Sequence, residues 1–502
     1  MPVVSSLEML FYSFPLHIIG YGILQNGYKL YREASKNYIA IVNSTFSIRL
    51  ASYGDSKETT MGKKLLTLLC IATLSFVMNA CRSPQVPSSS QPTATPTGNG
   101  YTYPPLNTKI YTDTSPVFLQ GNAMGGLIAQ TPPTIDFGSA VIDAQKYSSD
   151  YGDWGNAVLG PDGKYYFGLG DHSGSTGGFN GALLMDYDPV KKQPEILLFS
   201  KDILGAGGEG KWHCRMDINP ANGDMYFIGF YNGNLIYYNI YSHVAKNMGK
   251  PSPGDGWEEG TWDYQRNRYY GVGNGNSGTN SGGGKVLVYD TLNQKTIYSG
   301  LPIDSATGKT FHWATRARLL DRTTGILYGS DQATNRLAKY DPATNTFSLM
   351  KSTLSDNLRA WTNQKEADGS FWIFDKTGNV YKFYPEQDKV QYMGKNWGNG
   401  VYTASIERSS DGKYLYYSIA NNAPFISAGG PIIQYNTQTN RKKAIAFLAP
   451  FYKNTYHYQM TKIYGVALAP DNGTLFAVSN GNFVDGARYP AVLTISIPAS
   501  ER

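Results

Sequence analysis

"LGPDGKYYFGLG" (residues 159–170) sets a Pro-Asp-Gly turn before a run of aromatic and small residues. Pro and Gly supply the dihedrals of a tight turn, and clustered aromatics suit a pleated strand. The pattern returns as "INPANGDMYFIGF" (218–230), "DYQRNRYYGVG" (263–273), "LDRTTGILYGSD" (320–331), "KEADGSFWIFD" (365–375), "RSSDGKYLYYSI" (408–419) and "LAPDNGTLFAVSN" (468–480). The seven copies put Gly163, Gly223, Asn267, Gly325, Gly369, Gly412 and Gly473 at the turn, 43 to 61 residues apart.

A second hairpin follows most copies, as in "ALLMDYDPVKKQPEILL" (182–198), "KVLVYDTLNQKTIYS" (285–299) and "RLAKYDPATNTFSLM" (336–350). Each reads as a strand, a turn near Tyr-Asp and another strand. Two hairpins per unit make a four-stranded sheet, and sheets repeating at this interval predict a β-propeller. The expected fold is all-β: a seven-bladed β-propeller of four-stranded antiparallel blades over residues 101–502. The last unit offers "YPAVLTISIPAS" (489–500) without a clear fourth strand, so an N-terminal strand from about Gly138 to Gln145 is expected to complete that blade and close the ring. The composition agrees, because 55 Gly and 39 Tyr suit many short strands joined by turns.

The N-terminal region has another character. "MGKKLLTLLCIATLSFVMNACRSPQ" (61–85) has two lysines, an apolar stretch from Leu65 to Met78 and small Ala80 before Cys81. This order predicts a secretory signal, and the apolar run is shorter than the roughly 20 residues that span a bilayer. "MNAC" resembles a bacterial lipobox, which implies that Cys81 is the lipidated first residue of the mature protein. Residues 1–60 then read as an upstream extension, with Met61 the initiator. The Ser-, Pro- and Thr-rich residues after Cys81, up to about residue 100, cannot bury enough apolar surface to order themselves and read as a flexible tether. The expected location is the bacterial cell envelope, with the lipid as the sole membrane contact.

Cysteine use is consistent with this. Cys70 leaves with the signal and Cys81 carries lipid, so Cys214 alone remains and no internal disulfide is expected. The formal charge is +6 over 502 residues, and the segment before Cys81 holds seven basic against four acidic residues. The remainder is close to balance, which gives no argument for nucleic acid as a partner. A monomer is expected.

The functional face follows from the loops. In a propeller the connections alternate between two faces. The turns quoted above are short and alike, whereas the opposite face carries "GDHSGSTGGFNG" (170–181), "GNGNSGTNSGGGK" (273–285) and "IANNAPFISAGGP" (419–431). Long polar loops on a rigid scaffold are more often functional than connecting.

Nine or ten residues before each turn, where the innermost strand enters near the axis, stand Trp154, His213, Trp257, Arg316, Arg359, Tyr402 and Tyr464. All are aromatic or basic. Near them lie Trp212, Arg215, Glu258, Glu259, Trp262, His312, Trp313, Arg318, Trp361 and Trp397. Any one Trp taken alone reads as core, because large aromatics are usually buried. Arg and His are seldom buried unpaired, so the ring as a whole reads as a site. Aromatic faces stack on the C–H faces of a sugar, while Arg suits its carboxylate. The expected partner is an anionic polysaccharide or oligosaccharide.

The chain resembles the secreted seven-bladed propeller enzymes that act on uronic-acid polysaccharides, namely ulvan lyases, rhamnose-glucuronate lyases and their glycosidase relatives. The resemblance covers Tyr151 to Pro498. It rests on the blade pattern, on "GALLMDYDP" (181–189) followed by "GEGKWHCRMD" (208–217), and on the His and Arg cluster on one face. It implies cleavage of a glycosidic bond by β-elimination. The hard step in that reaction is removing the C5 proton beside a carboxylate, so a cation neutralises the carboxylate, a base takes the proton and an acid protonates the leaving oxygen.

On that expectation Arg316 or Arg359 neutralises, His213 or His172 is the base, and Tyr402 is the acid or second base. Trp154, Trp212, Arg215, Trp257, His312, Trp313, Trp361 and Tyr464 bind substrate, with Arg215 on the same side of its strand as His213.

A metal is the rival use of His172, His213, Cys214 and His312. Adjacent His213 and Cys214 in a strand point to opposite faces and cannot easily share one ion. No cofactor is therefore required, with structural calcium or zinc as the alternative. Two further functions stand beside the lyase: a non-catalytic glycan- or protein-binding propeller, and a metal-dependent lactonase-like hydrolase using Glu258, Asn156 and Asp217.

Overall fold

In the computed structural model the hairpins form where Gly and Asn permit them. The structure describes residues 101–106, 108–139, 151–155, 157–170, 181–213, 215–274, 283–483 and 489–502. These lie within one compact unit, Gln91–Arg502. Gly163, Gly223, Asn267, Gly325, Gly369 and Gly412 have φ between +50° and +81°, the left-handed region a tight turn needs. In the seventh copy Asn472, at φ +58°, takes this conformation instead of the neighbouring Gly473. Asn tolerates it because its short polar side chain bonds locally.

The second hairpins turn on side-chain oxygens. Asp188 accepts from the backbone N–H groups of Val190 and Lys191 at 2.9 and 3.0 Å. Asp290 does the same with Leu292 and Asn293 at 3.1 and 3.0 Å, and Asn436 with Gln438 and Thr439 at 3.0 and 2.9 Å. A carboxylate or amide that caps its own turn is what the recurring Tyr-Asp and Tyr-Asn pairs encode.

Seven sheets result, one per repeat, so the protein is a seven-bladed β-propeller. Blade 1 runs from Gly152–Asp153 to Gln193–Phe199, blade 3 from Glu259–Asp263 to Lys295–Gly300, and blade 4 from Leu319–Leu320 to Thr346–Thr353. Blade 5 runs from Leu358–Trp361 to Lys389–Lys395 and blade 6 from Ile406–Arg408 to Lys442–Phe447. Among the described residues blades 3, 4 and 5 keep the expected four strands, the sheets of blades 1, 6 and 7 have five, and that of blade 2 has three. The three regular strands of blade 2 end at Ala245–Asn247, and its innermost segment is joined to them by the isolated Lys211–Phe230 and Ile218–Met225 bridges in place of a continuous ladder.

Blade 7 contains Tyr458–Leu468, Thr474–Phe483 and Ala491–Ser496. Thr134–Ser139 pairs antiparallel with Ala491–Ser496 along all six residues, and Tyr111–Thr114 pairs beyond it. The strand expected at Gly138 to Gln145 overlaps this segment only at Gly138 and Ser139, and residues 140–145 lie outside the described ones.

Each blade shares its core with the next. Leu184 and Tyr166 of blade 1 pack with Trp212 and Phe227 of blade 2. Ile228 packs with Trp262, Val288 with Trp313, and Leu319 with Ile373. Blades 5, 6 and 7 share one cluster, and Phe476 of blade 7 stacks on Tyr165 of blade 1 at 4.5 Å, so the interblade packing returns to its start. Among the described residues no helix is long and apolar enough to cross a membrane.

Candidate functional site

Side chains of non-adjacent blades meet only at a propeller's axis, and here they meet around Tyr402. Arg316, ahead of the innermost strand of blade 4, donates from Nη1 to the Tyr402 hydroxyl of blade 6 at 2.9 Å. Arg359 of blade 5 donates to the same oxygen from Nε, and its Nη1 reaches the Ala404 carbonyl at 3.1 Å. Arg316 also donates from Nε to Glu258 Oε1 of blade 3 at 2.7 Å. Its backbone sits at φ +74°, strained for a side chain of this size and affordable where function demands it.

Around this centre lies a second tier. Arg318 Nη2 pairs with Glu259 Oε2 at 2.7 Å, and Arg318 Nε donates to the Gly260 carbonyl at 3.0 Å. His213 of blade 2 lies fully buried, with Nδ1 3.7 Å from Glu258 and Nε2 3.9 Å from Glu259. Blades 1 and 7 add Trp154 and Tyr464, whose rings are 5.6 Å apart, and Tyr464 lies 6.4 Å from Tyr402. Lys211 stands 4.7 Å and Lys462 4.5 Å from the Trp154 ring centre. Arg316, Arg318, Arg359, His213 and Lys211 thus gather around two carboxylates, Glu258 and Glu259.

The titration shifts follow from this arrangement. Burial opposes ionisation of Tyr402, but Arg359 and Arg316 outweigh it and hold the phenol below its ordinary range. Tyr464 goes the other way: burial and the charge of Tyr402 push it up to about 12. Burial lowers Lys211 to about 7. Burial also disfavours the Glu258 charge, yet Arg316 and Lys211 keep that carboxyl below its usual value, whereas burial wins at Glu259 and raises it.

Of the residues expected from sequence, Trp154, His213, Arg316, Arg359, Tyr402 and Tyr464 come together. The exposure of His213 is nil, so in this structure it presents no surface to a ligand. His172 and Cys214, like Cys81 and Asn156, lie outside the described residues.

Arg215 was expected beside His213, but it is partly exposed where His213 is fully buried, and it pairs elsewhere. Its Nε donates to Asp217 Oδ1 at 3.0 Å, in a separate group with Arg322 and Glu407. Trp212, Trp257 and Trp313 were expected to contact substrate; all three are fully buried between blades and serve as packing. Trp361 is nearly so, its ring under the Arg318 guanidinium at 5.3 Å. His312 is exposed and bonds through Nδ1 to the Gly283 carbonyl at 2.9 Å, away from the cluster.

Lys211 and Lys462 were not singled out from sequence. Strand alternation points to both, since each lies two residues before a selected residue, His213 and Tyr464 respectively. Among the described residues no group of three or more His, Cys, Asp or Glu side chains is placed to hold a metal ion.

Fold and site together define a seven-bladed β-propeller with a basic, aromatic-flanked axial centre. No family model and no curated protein matches this chain. Among solved structures it is similar to one titled "Structure of U3-55K", at 6% identity and a TM-score of 0.45, over 69% of this chain and 99% of that one.

Proposed function

We propose that this protein is an envelope-anchored, carbohydrate-active propeller that cleaves uronic-acid-containing glycan by β-elimination at the axial centre. The observation that carries this is the Tyr402 hydroxyl, which accepts hydrogen bonds from Arg316 and Arg359 and is held below the ordinary phenol range. A phenol of lowered pKa is a base, and the cations that lower it also suit the uronate carboxylate.

Two titratable groups whose environments drive their pKa values apart are natural acid and base partners. Tyr402 as phenolate takes the C5 proton, and the C5–H electron pair forms the C4–C5 double bond. The C4–O bond breaks, and the departing oxygen takes a proton from Tyr464, which burial keeps protonated at neutral pH. Arg316 stabilises the charge that develops on the carboxylate. Trp154 is partly exposed and offers the ring on which a sugar stacks.

Incubating the purified chain with a panel of uronate polysaccharides tests this. A C4–C5 unsaturated uronate absorbs in the near ultraviolet, so absorbance should rise with at least one polymer. Retained binding without any rise would leave a non-catalytic glycan-binding propeller.

A further inference from the structure

A second basic feature lies away from the axis, at the outermost strands of blades 5 and 6. A cavity of about 470 Å³ is lined there by Lys395, Arg441 and Lys442, with Trp397, Met124 and Leu127 among the other walls. No carboxylate lines it. Met124 and Leu127 are each 43% exposed, so the cavity opens to solvent beside apolar surface.

What sets the cavity apart is three cations on one concave wall with no carboxylate among its lining residues, whereas several lysines elsewhere are paired. Lys164, Lys285, Lys365 and Lys382 each sit within 3 Å of a carboxylate. Lys443, one residue past the cavity's Lys442, pairs with Glu501 Oε2 at 2.7 Å. Successive residues of a strand face opposite sides, so Lys443 finds its partner while Lys442 turns to the cavity. Among the described residues Lys395, Arg441 and Lys442 have no carboxylate partner. Burial without a counter-charge lowers Lys442 from its ordinary value.

The backbone is shaped to hold the groups there. Gly394, Gly398 and Gly400 have φ of +105°, +51° and +102°, the positive region glycine enters most readily, and this curls the chain around Lys395 and Trp397. Leu127–Ile128 pairs in parallel with Lys443 and Ala444 and fixes the apolar wall.

Three like charges gathered in one cavity repel unless an anion joins them. We propose that this cavity is a second saccharide-binding site, taking a carboxylate- or sulfate-bearing sugar unit of an anionic glycan at a distance from the axial centre. Arg441 supplies the bidentate fork for the anion, Lys395 and Lys442 add point charges, and the apolar wall receives the sugar's C–H face. The choice of an anionic glycan rests on the proposed function; the site itself rests on the cavity.

The test is affinity electrophoresis of the full chain through gels containing polygalacturonate, with neutral dextran as the control. All measurements use the Tyr402→Phe background, so that cleavage does not enter. Polygalacturonate should retard the protein and dextran should not. Combined Lys395→Ala, Arg441→Ala and Lys442→Ala substitutions should weaken retardation by about tenfold or more, the equivalent of losing charged contacts. Arg441→Glu alone, at an exposed position, should act in the same direction. Raising the salt should weaken binding of the parent more than of the triple variant.

Undiminished retardation of the triple variant, or equal retardation by dextran, would overturn the proposal. A lyase assay that fails while retardation still depends on these three cations would refute the axial chemistry and leave this site standing.

Discussion

Replacing Arg359 by Gln removes one of the two guanidinium charges that meet at the Tyr402 hydroxyl, and leaves the one from Arg316. At an effective dielectric of about 20, a unit charge about 4 Å away is worth roughly 4 kcal/mol, or about three pH units. Solvent at the partly exposed phenol reduces this, so the expected rise in the Tyr402 pKa is about one to three units. The sign is fixed: losing a cation disfavours the phenolate.

Phenolate absorbance titrated against pH, as the difference between the parent and Tyr402→Phe, reports this group alone. The same difference in the Arg359→Gln background should move to higher pH. The acidic limb of the elimination pH–rate profile should move with it, because the base must be deprotonated to act. An unchanged titration midpoint would show that Arg359 does not set the phenol's charge. A moved midpoint with an unmoved limb would remove Tyr402 as the base.

Other expectations concern the scaffold and the buried amine. Lys211 has a folded pKa near 7 against about 10.5 unfolded, so the unfolded chain binds more protons between those values and stability rises with pH across that window. Lys211→Met should therefore be more stable than the parent at pH 7, with the gap closing towards pH 10 in thermal melts; a constant gap would contradict the burial argument. A Cβ at Gly329 would stand 2.2 Å from Trp313 Cε2, so Gly329→Ala should cost about 1–3 kcal/mol in denaturant unfolding. Trp212→Ala should cost about 3–5 kcal/mol while leaving the affinity for anionic glycan close to that of the parent, since the ring is buried against Phe227 at 4.8 Å.

The blades were legible because each turn needs a residue tolerant of positive φ and each strand needs apolar alternation, two local demands that repeat seven times. Counting back from a turn is sound only while the strand keeps its register. It located His213, Arg359, Tyr402 and Tyr464. In blade 3 it selected Trp257, whose neighbours Glu258 and Glu259 hold the axial arginines, since a shift of one residue exchanges core and axis.

The same alternation explains the tryptophans. Trp212 sits beside His213 in sequence and therefore faces the neighbouring blade. Arg316 was found by its spacing, but its left-handed backbone and its contacts across to blades 3 and 6 depend on ring geometry that no local pattern carries. The basic cavity at Lys395 and Lys442 lay beyond sequence for a related reason. It joins two blades and the segment around Met124, more than 250 residues distant in the chain.

The most direct test of the central claim is the turnover of Tyr402→Phe on whichever uronate polymer gives the unsaturated product with the parent protein. Removing a positioned general base costs about 100- to 10,000-fold in rate, so product formation should fall by at least about 100-fold with the fold and glycan binding retained. Turnover within a few-fold of the parent would contradict the account.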